Sequence, residues 1–188
     1  CRYLDMPFQH ISDPVLKKMN RKITRKEIEA TMSRVRSQLP DVAWRTTFIV
    51  GFPTETDQDF EELVDFVSEG HFQHLGIFLY SDEDNIRSSK FGDPIPLSLK
   101  EERKNRLMEI QQKISREHHQ KMVGSLQQVL VGGFSSETDL LLEGRNQYQG
   151  PEVDGVVYIN EGNATSAGFH QVEITEAHEY DLVGKILN

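Results

Sequence analysis

The sequence predicts an α/β domain followed by a small β-rich domain. Three observations predict it. Over the first two-thirds of the 188 residues, short apolar runs alternate with longer segments whose apolar residues recur at helical spacing. After Gly124 the texture changes to short β-branched runs separated by Gly, Asn, Ser and Pro clusters. The charge divides at the same place. Residues 1–124 hold 19 Lys and Arg against 20 Asp and Glu, whereas residues 125–188 hold 2 against 10, nearly all of the net charge of −9.

The elements follow in order. Arg2 to Pro7 reads as a strand. Ser12 caps a short helix with Val15, Leu16 and Met19 on one face. Thr24 and Glu27 form a capping box for a helix whose apolar face is Ile28, Met32, Val35 and Leu39. Trp44 to Val50 is the second strand, β-branched and aromatic as a strand buried on both faces requires. Gly51 permits a backbone geometry that a Cβ would forbid, and Pro53 cannot extend the ladder. Thr56 caps a helix to about Ser68, with Asp57 and Asp59 in the first turn, where the macrodipole favours acids. Phe60, Leu63, Val64 and Val67 face inward, and Gly70 ends that helix. His74–Tyr80 is a third apolar strand, followed by a polar loop with two prolines. Ser98 and Glu101 open a long helix to about Met122, with Leu107, Ile110 and Ile114 on one stripe. Such an order implies a parallel sheet with right-handed crossovers. The expected domains are 1–122, including the linking helix 98–122, and 123–188, a small antiparallel barrel or sandwich.

No apolar run approaches the ~18 residues of a membrane span, and no signal peptide is visible. A single cysteine rules out a disulfide framework and fits a reducing, cytoplasmic setting. The chain opens on Cys1 and enters a strand at once, which reads as a fragment whose amino-terminal half is missing. The seven histidines show no metal-ligand spacing.

The Gly51–Thr56 corner lies at the carboxyl end of a strand, where α/β proteins place ligands. Glu55 either closes the corner by accepting backbone amides or serves as a ligand. His10 reads as structural. Arg103, Lys104 and Arg106 read as a solvated helix face, and His118 and His119 as a solvated helix end. Tyr148 and Tyr158 could stack on bases, but ten acids against two basic residues speak against an RNA groove. The same acidity suits a basic protein partner.

Five stretches carry a resemblance: YLDMPFQHISDPVLKKMNR (3–21), RTTFIVGFPTETDQDFEELVDFV (45–67), LGIFLYSDED (75–84), KEERKNRLMEIQQKIS (100–115), and PEVDGVVYI with AHEYDLVG (151–159, 177–184). Together they resemble the radical-SAM methylthiotransferases, most closely the branch that modifies a ribosomal protein. Departures are Thr54, where the family usually has Gly, and Asp84-Asn85-Ile86, where it usually has Glu-Gly-Thr. The resemblance implies the carboxyl-terminal half of a partial (β/α)6 barrel followed by a TRAM-like β domain. It implies S-adenosylmethionine and two four-iron four-sulfur clusters in the parent enzyme, whose ligand cysteines are absent from this chain. Carried over to this sequence, it implies a cofactor wall of Gln9, Arg21, Arg45, Thr47, Ile49, Gly51, Phe78 and Tyr80, with Arg21 and Arg45 as rivals for the carboxylate. The implied reaction methylthiolates the β-carbon of an aspartate in a small-subunit ribosomal protein, docked on the acidic β domain. The chain alone is expected to be inactive. The alternatives are a tRNA methylthiotransferase fragment and a non-catalytic docking module.

Overall fold

The structure, a computed structural model, describes residues 1–83, 87–162 and 167–187. It divides into two compact units, residues 4–111, and residues 1–3 with 112–188.

In the first unit, β1 (Tyr3–Asp5), β2 (Ala43–Val50) and β3 (His74–Leu79) form a sheet in the order β1-β2-β3. β2 and β3 run parallel, with Thr47 opposite Gly76 and Ile49 opposite Phe78. The helices are α1 (Asp13–Lys18), α2 (Arg25–Gln38), α3 (Asp57–Ser68) and α4 (Leu97–Gln120), with a 3-10 turn at Arg87–Phe91. Alternation sends Trp44, Phe48, Val50 and Ile77 into a core with Ile28, Leu63, Phe66 and Leu107. Phe72 is its hub, meeting Trp44 and Phe48 edge-on at 6.3 and 6.0 Å. Expectation and structure part on the other face. Phe78 is 58% exposed there and Ile49 partly exposed, while Ala43 and Thr47 on the same face are buried, so that face of the sheet is open toward its carboxyl end rather than buried throughout.

The caps on α2 and α3 are full capping boxes, Thr24 with Glu27 and Thr56 with Asp59. Ser12 stands at the N-cap of α1 but makes no side-chain cap there. Its hydroxyl donates to Asp59 instead.

In the second unit, β4 (Leu126–Phe134), β5 (Leu142–Arg145), β6 (Val157–Glu161), β7 (Gly168–Ala177) and β8 (Leu182–Ile186) close a barrel in the order β4-β5-β6-β8-β7. Closure removes the sheet edges. Val129, Val131, Val157, Ile159, Val172, Ile174, Leu182 and Ile186 fill the interior. The barrel is not wholly antiparallel, because β6 and β8 pair in parallel. β8 is too short, and too interrupted by Gly184, to stand out in the sequence. His119 also departs from expectation. It is 4% exposed, and its Nδ1 lies 3.1 Å from the carbonyl of His178.

Candidate functional site

At the carboxyl ends of the three strands the first unit opens a cleft of about 460 Å³. That size suits a small organic ligand. Ile49, Phe52, Phe78, Leu79 and Tyr80 give it an apolar floor, and Gln9, Lys18, Asn20, Arg21, Ser81 and Glu83 supply polar groups.

Three local features build it. The first strand continues past β1, the Gln9 amide donating to Thr47 O and the Gln9 carbonyl accepting from Ile49 N, both at 2.9 Å. Gln9 holds φ at +73° to do so, a left-handed conformation uncommon for a residue with a Cβ. Asn20, just past α1, takes φ +61° and turns the chain so that Arg21 also lines the cleft. Asn tolerates that geometry better than most residues. Finally, Phe52, Tyr80 and Phe91 stack edge to face at 5.2 and 6.2 Å, fixing the aromatic side of the cleft.

Gln9, Arg21, Ile49, Phe78 and Tyr80 therefore meet at one cleft. Arg45, Thr47 and Gly51 do not line it. Arg45 is the third residue of β2, about 16 Å from the strand's carboxyl end at ~3.3 Å per residue. Its guanidinium pairs with Asp5 at 2.9 Å. Thr47 shares the cleft-side face with Ile49 but lies one pleat deeper, 8% exposed beside Arg45. At Gly51, φ is +74°, and the space a Cβ would need is filled by the Lys100 stem, whose Cγ would lie 2.3 Å from it. The glycine serves a close approach by this chain's own helix.

Behind the corner lies a buried polar network. Glu55 closes the turn, accepting from Gly51 N at 2.9 Å and from Arg103 at 2.6 Å. Arg103 is 3% exposed and lies over the Phe60 ring, so it is no solvated face. Arg106 is exposed and pairs with Glu61. His10, fully buried, accepts from Ser12 N through Nδ1. Its Nε2 lies 3.5 Å from Glu55. Burial opposes the charge on Asp59, but hydrogen bonds from Ser12 and Thr56 outweigh it and hold the carboxyl below its ordinary range.

Sequence reasoning missed Lys18, Asn20, Phe52 and Glu83 at the cleft, and Lys100 and Arg103 behind it. The proximity of Lys18 and Asn20 to Arg21 was a signal for the first two. Nothing local to residues 100–103 signals the corner they support.

Residues 1–67 match the Radical SAM superfamily model and residues 123–187 the TRAM domain model. A protein of Bdellovibrio bacteriovorus named ribosomal protein uS12 methylthiotransferase RimO is 50% identical over 186 residues, covering 99% of this chain and 41% of that protein. Identically named proteins of Desulfotalea psychrophila and Geobacter sulfurreducens are 46% and 44% identical over 187 and 188 residues, covering 42% of each. The chain is thus similar along its whole length to radical-SAM methylthiotransferases. It spans about two-fifths of the length of these relatives.

The family implies S-adenosylmethionine and iron–sulfur clusters, and the residues present fit the two differently. The cleft offers a flat apolar floor for a base, cations for a carboxylate, and a Tyr80 hydroxyl buried without a partner among the described residues. A buried hydroxyl left unmatched is costly, so a polar ligand atom would be favoured there. A four-iron cluster takes several thiolates. The one cysteine, Cys1, cannot supply them, so this chain's residues do not by themselves fit a cluster.

Proposed function

We propose that this chain forms part of an enzyme that methylthiolates the β-carbon of an aspartate in small-subunit ribosomal protein S12, and that its cleft holds part of S-adenosylmethionine. The observation that supports this most is that the cleft lies at the carboxyl ends of the strands in a chain matched along its whole length by the uS12 methylthiotransferases. S-adenosylmethionine supplies the radical chemistry when bound. The chain's own residues do the rest. Ile49, Phe78 and Tyr80 bind the adenine and keep water from it. Gln9 hydrogen-bonds the ribose. Arg21, at the cleft where Arg45 is not, pairs with the carboxylate through its planar fork.

The β unit presents the basic substrate with an acidic surface. Tyr158 supports this reading: burial, then Asp181, Glu137 and Glu143, push its phenol above the usual tyrosine range. Phosphates would be repelled there. The 188 residues alone are expected to give no methylthiolated product.

The test is to incubate the protein encoded by the complete gene with S-adenosylmethionine, a reductant, and either ribosomal protein S12 or tRNA. A methylthio group replacing hydrogen on an S12 aspartate supports the reading. The modification appearing on tRNA instead overturns it in favour of a tRNA-modifying enzyme.

A further inference from the structure

Lys100 is a buried ammonium for which the proposed function gives no role. It sits in the first turn of α4, 2% exposed, and is not among the residues lining the cleft described above. Its stem fills the space beside Gly51. Its Nζ donates to the carbonyl of Tyr80 at 2.8 Å, where β3 has ended and β2 has turned away at Gly51. The same Nζ donates to both oxygens of Asp93, at 2.5 and 2.6 Å, just beyond the 3-10 turn that carries Phe91. It also lies 5.4 Å from the centre of the Tyr80 ring. One cation thus holds three things in register: the β2 corner, the end of β3, and the return of the chain after Phe91.

From this geometry we infer that Lys100 is a positioning residue, a clamp that fixes the aromatic side of the cleft without touching what the cleft binds. A buried ammonium must be matched by acceptors, and these three contacts supply them. Tyr80 and Phe91 stack on Phe52, so fixing their backbones fixes the stack. That the fixed wall is a cofactor wall rests on the function proposed above; the clamp itself does not.

The test compares Lys100→Met, which keeps the stem and loses the charge, with Lys100→Arg, which keeps both. Amide hydrogen exchange is read by mass spectrometry on the 188-residue chain without added ligand. In Lys100→Met, exchange at the Tyr80 amide and at residues 91–93 is expected to rise about tenfold or more, the factor set by losing one charge-assisted hydrogen bond. Exchange around Trp44 is expected to stay unchanged, and Lys100→Arg to restore most of the protection. Asp93→Asn, at a partly exposed carboxylate, is expected to give a smaller rise at the same peptides. No local rise in Lys100→Met overturns the clamp. A rise spread evenly over the unit also overturns it, because Lys100 would then support the fold at large. Since no cofactor is added, failure here is separate from failure of the chain's parent to use S-adenosylmethionine.

Discussion

Replacing Gly51 with Ala should be among the most damaging single-methyl additions in the first unit. About half of the damage or more should vanish when Lys100 is shortened. The structure separates the cost into parts. A φ of +74° is a left-handed conformation that costs an L-residue about 1 to 2 kcal/mol. The new Cβ would lie 2.3 Å from Lys100 Cγ and 2.8 Å from Cδ, an overpacking worth about 1 to 3 kcal/mol. If the stem moves to relieve it, the ammonium loses hold of Tyr80 O and Asp93, for a similar amount. The overpacking and the lost contacts are alternatives, so the expected loss is about 2 to 5 kcal/mol. In a Lys100→Ala background only the backbone cost remains, about 1 to 2 kcal/mol. The coupling is therefore about 1 to 3 kcal/mol. Trp44 is the sole tryptophan, 1% exposed in the core of this unit, so its fluorescence in urea reports the unit directly. At about 2 kcal/mol per molar urea, the single mutant's midpoint should fall by roughly 2 M. If Gly51→Ala costs the same with and without Lys100, the steric argument is wrong and the glycine answers to something else.

Three further outcomes are expected. Arg103→Met leaves the buried Glu55 without its guanidinium partner, and should cost about 3 to 5 kcal/mol in the same urea assay; Arg106→Met breaks an exposed pair and should leave the midpoint nearly unmoved, so equal effects would refute the distinction. Asp59→Asn should cost about 1 to 2 kcal/mol at pH 7. Because the folded carboxyl titrates below its unfolded value of about 3.9, the wild-type advantage is complete above about pH 5 and fades as pH falls through 4 and below; a constant gap between pH 7 and pH 3 would contradict this. Gly155→Ala would place a Cβ 1.8 Å from the Tyr180 carbonyl oxygen and 2.7 Å from Asp181 Oδ1, and the nearest atoms are backbone, which cannot swing aside as a side chain can. It should lower the melting temperature of the β unit by about 10 °C or more, seen by circular dichroism, and a change of a degree or two would show that the loop yields.

The strand-rich order, the capping boxes and the core stripes were legible because each rests on residues within a few positions of one another. Thr24 with Glu27 and Thr56 with Asp59 specify their caps locally, and both caps are present. The open face of β3 was not legible. His74–Leu79 is apolar at nearly every position, and an apolar run does not reveal which face its own chain will cover. β8 was missed for the opposite reason. Leu182–Ile186 is five residues with a glycine in the middle, and it becomes a strand only because β6 and β7 hold it on both sides. Of the eight residues expected at the site, Gln9, Arg21, Ile49, Phe78 and Tyr80 converge on the cleft. The others show the limit of strand-face reasoning. Parity puts Arg45 and Thr47 on the correct face but says nothing of depth along the strand.

The corner carries the larger lesson about long-range support. Read locally, a glycine, a proline and a glutamate between a strand and a helix suggest a ligand that comes close to the backbone. In the fold, the approaching groups are Lys100 and Arg103, three residues apart and so on one face of α4. Lys100 fills the glycine's space and reaches the end of β3; Arg103 neutralises Glu55, which holds the Gly51 amide. Removing either cation should loosen the same turn from opposite sides, and neither is replaceable by a residue that merely favours helix. A sequence pattern at 51–55 is thus conditional on one at 100–103. The two should be altered together in any effort to reshape the cleft.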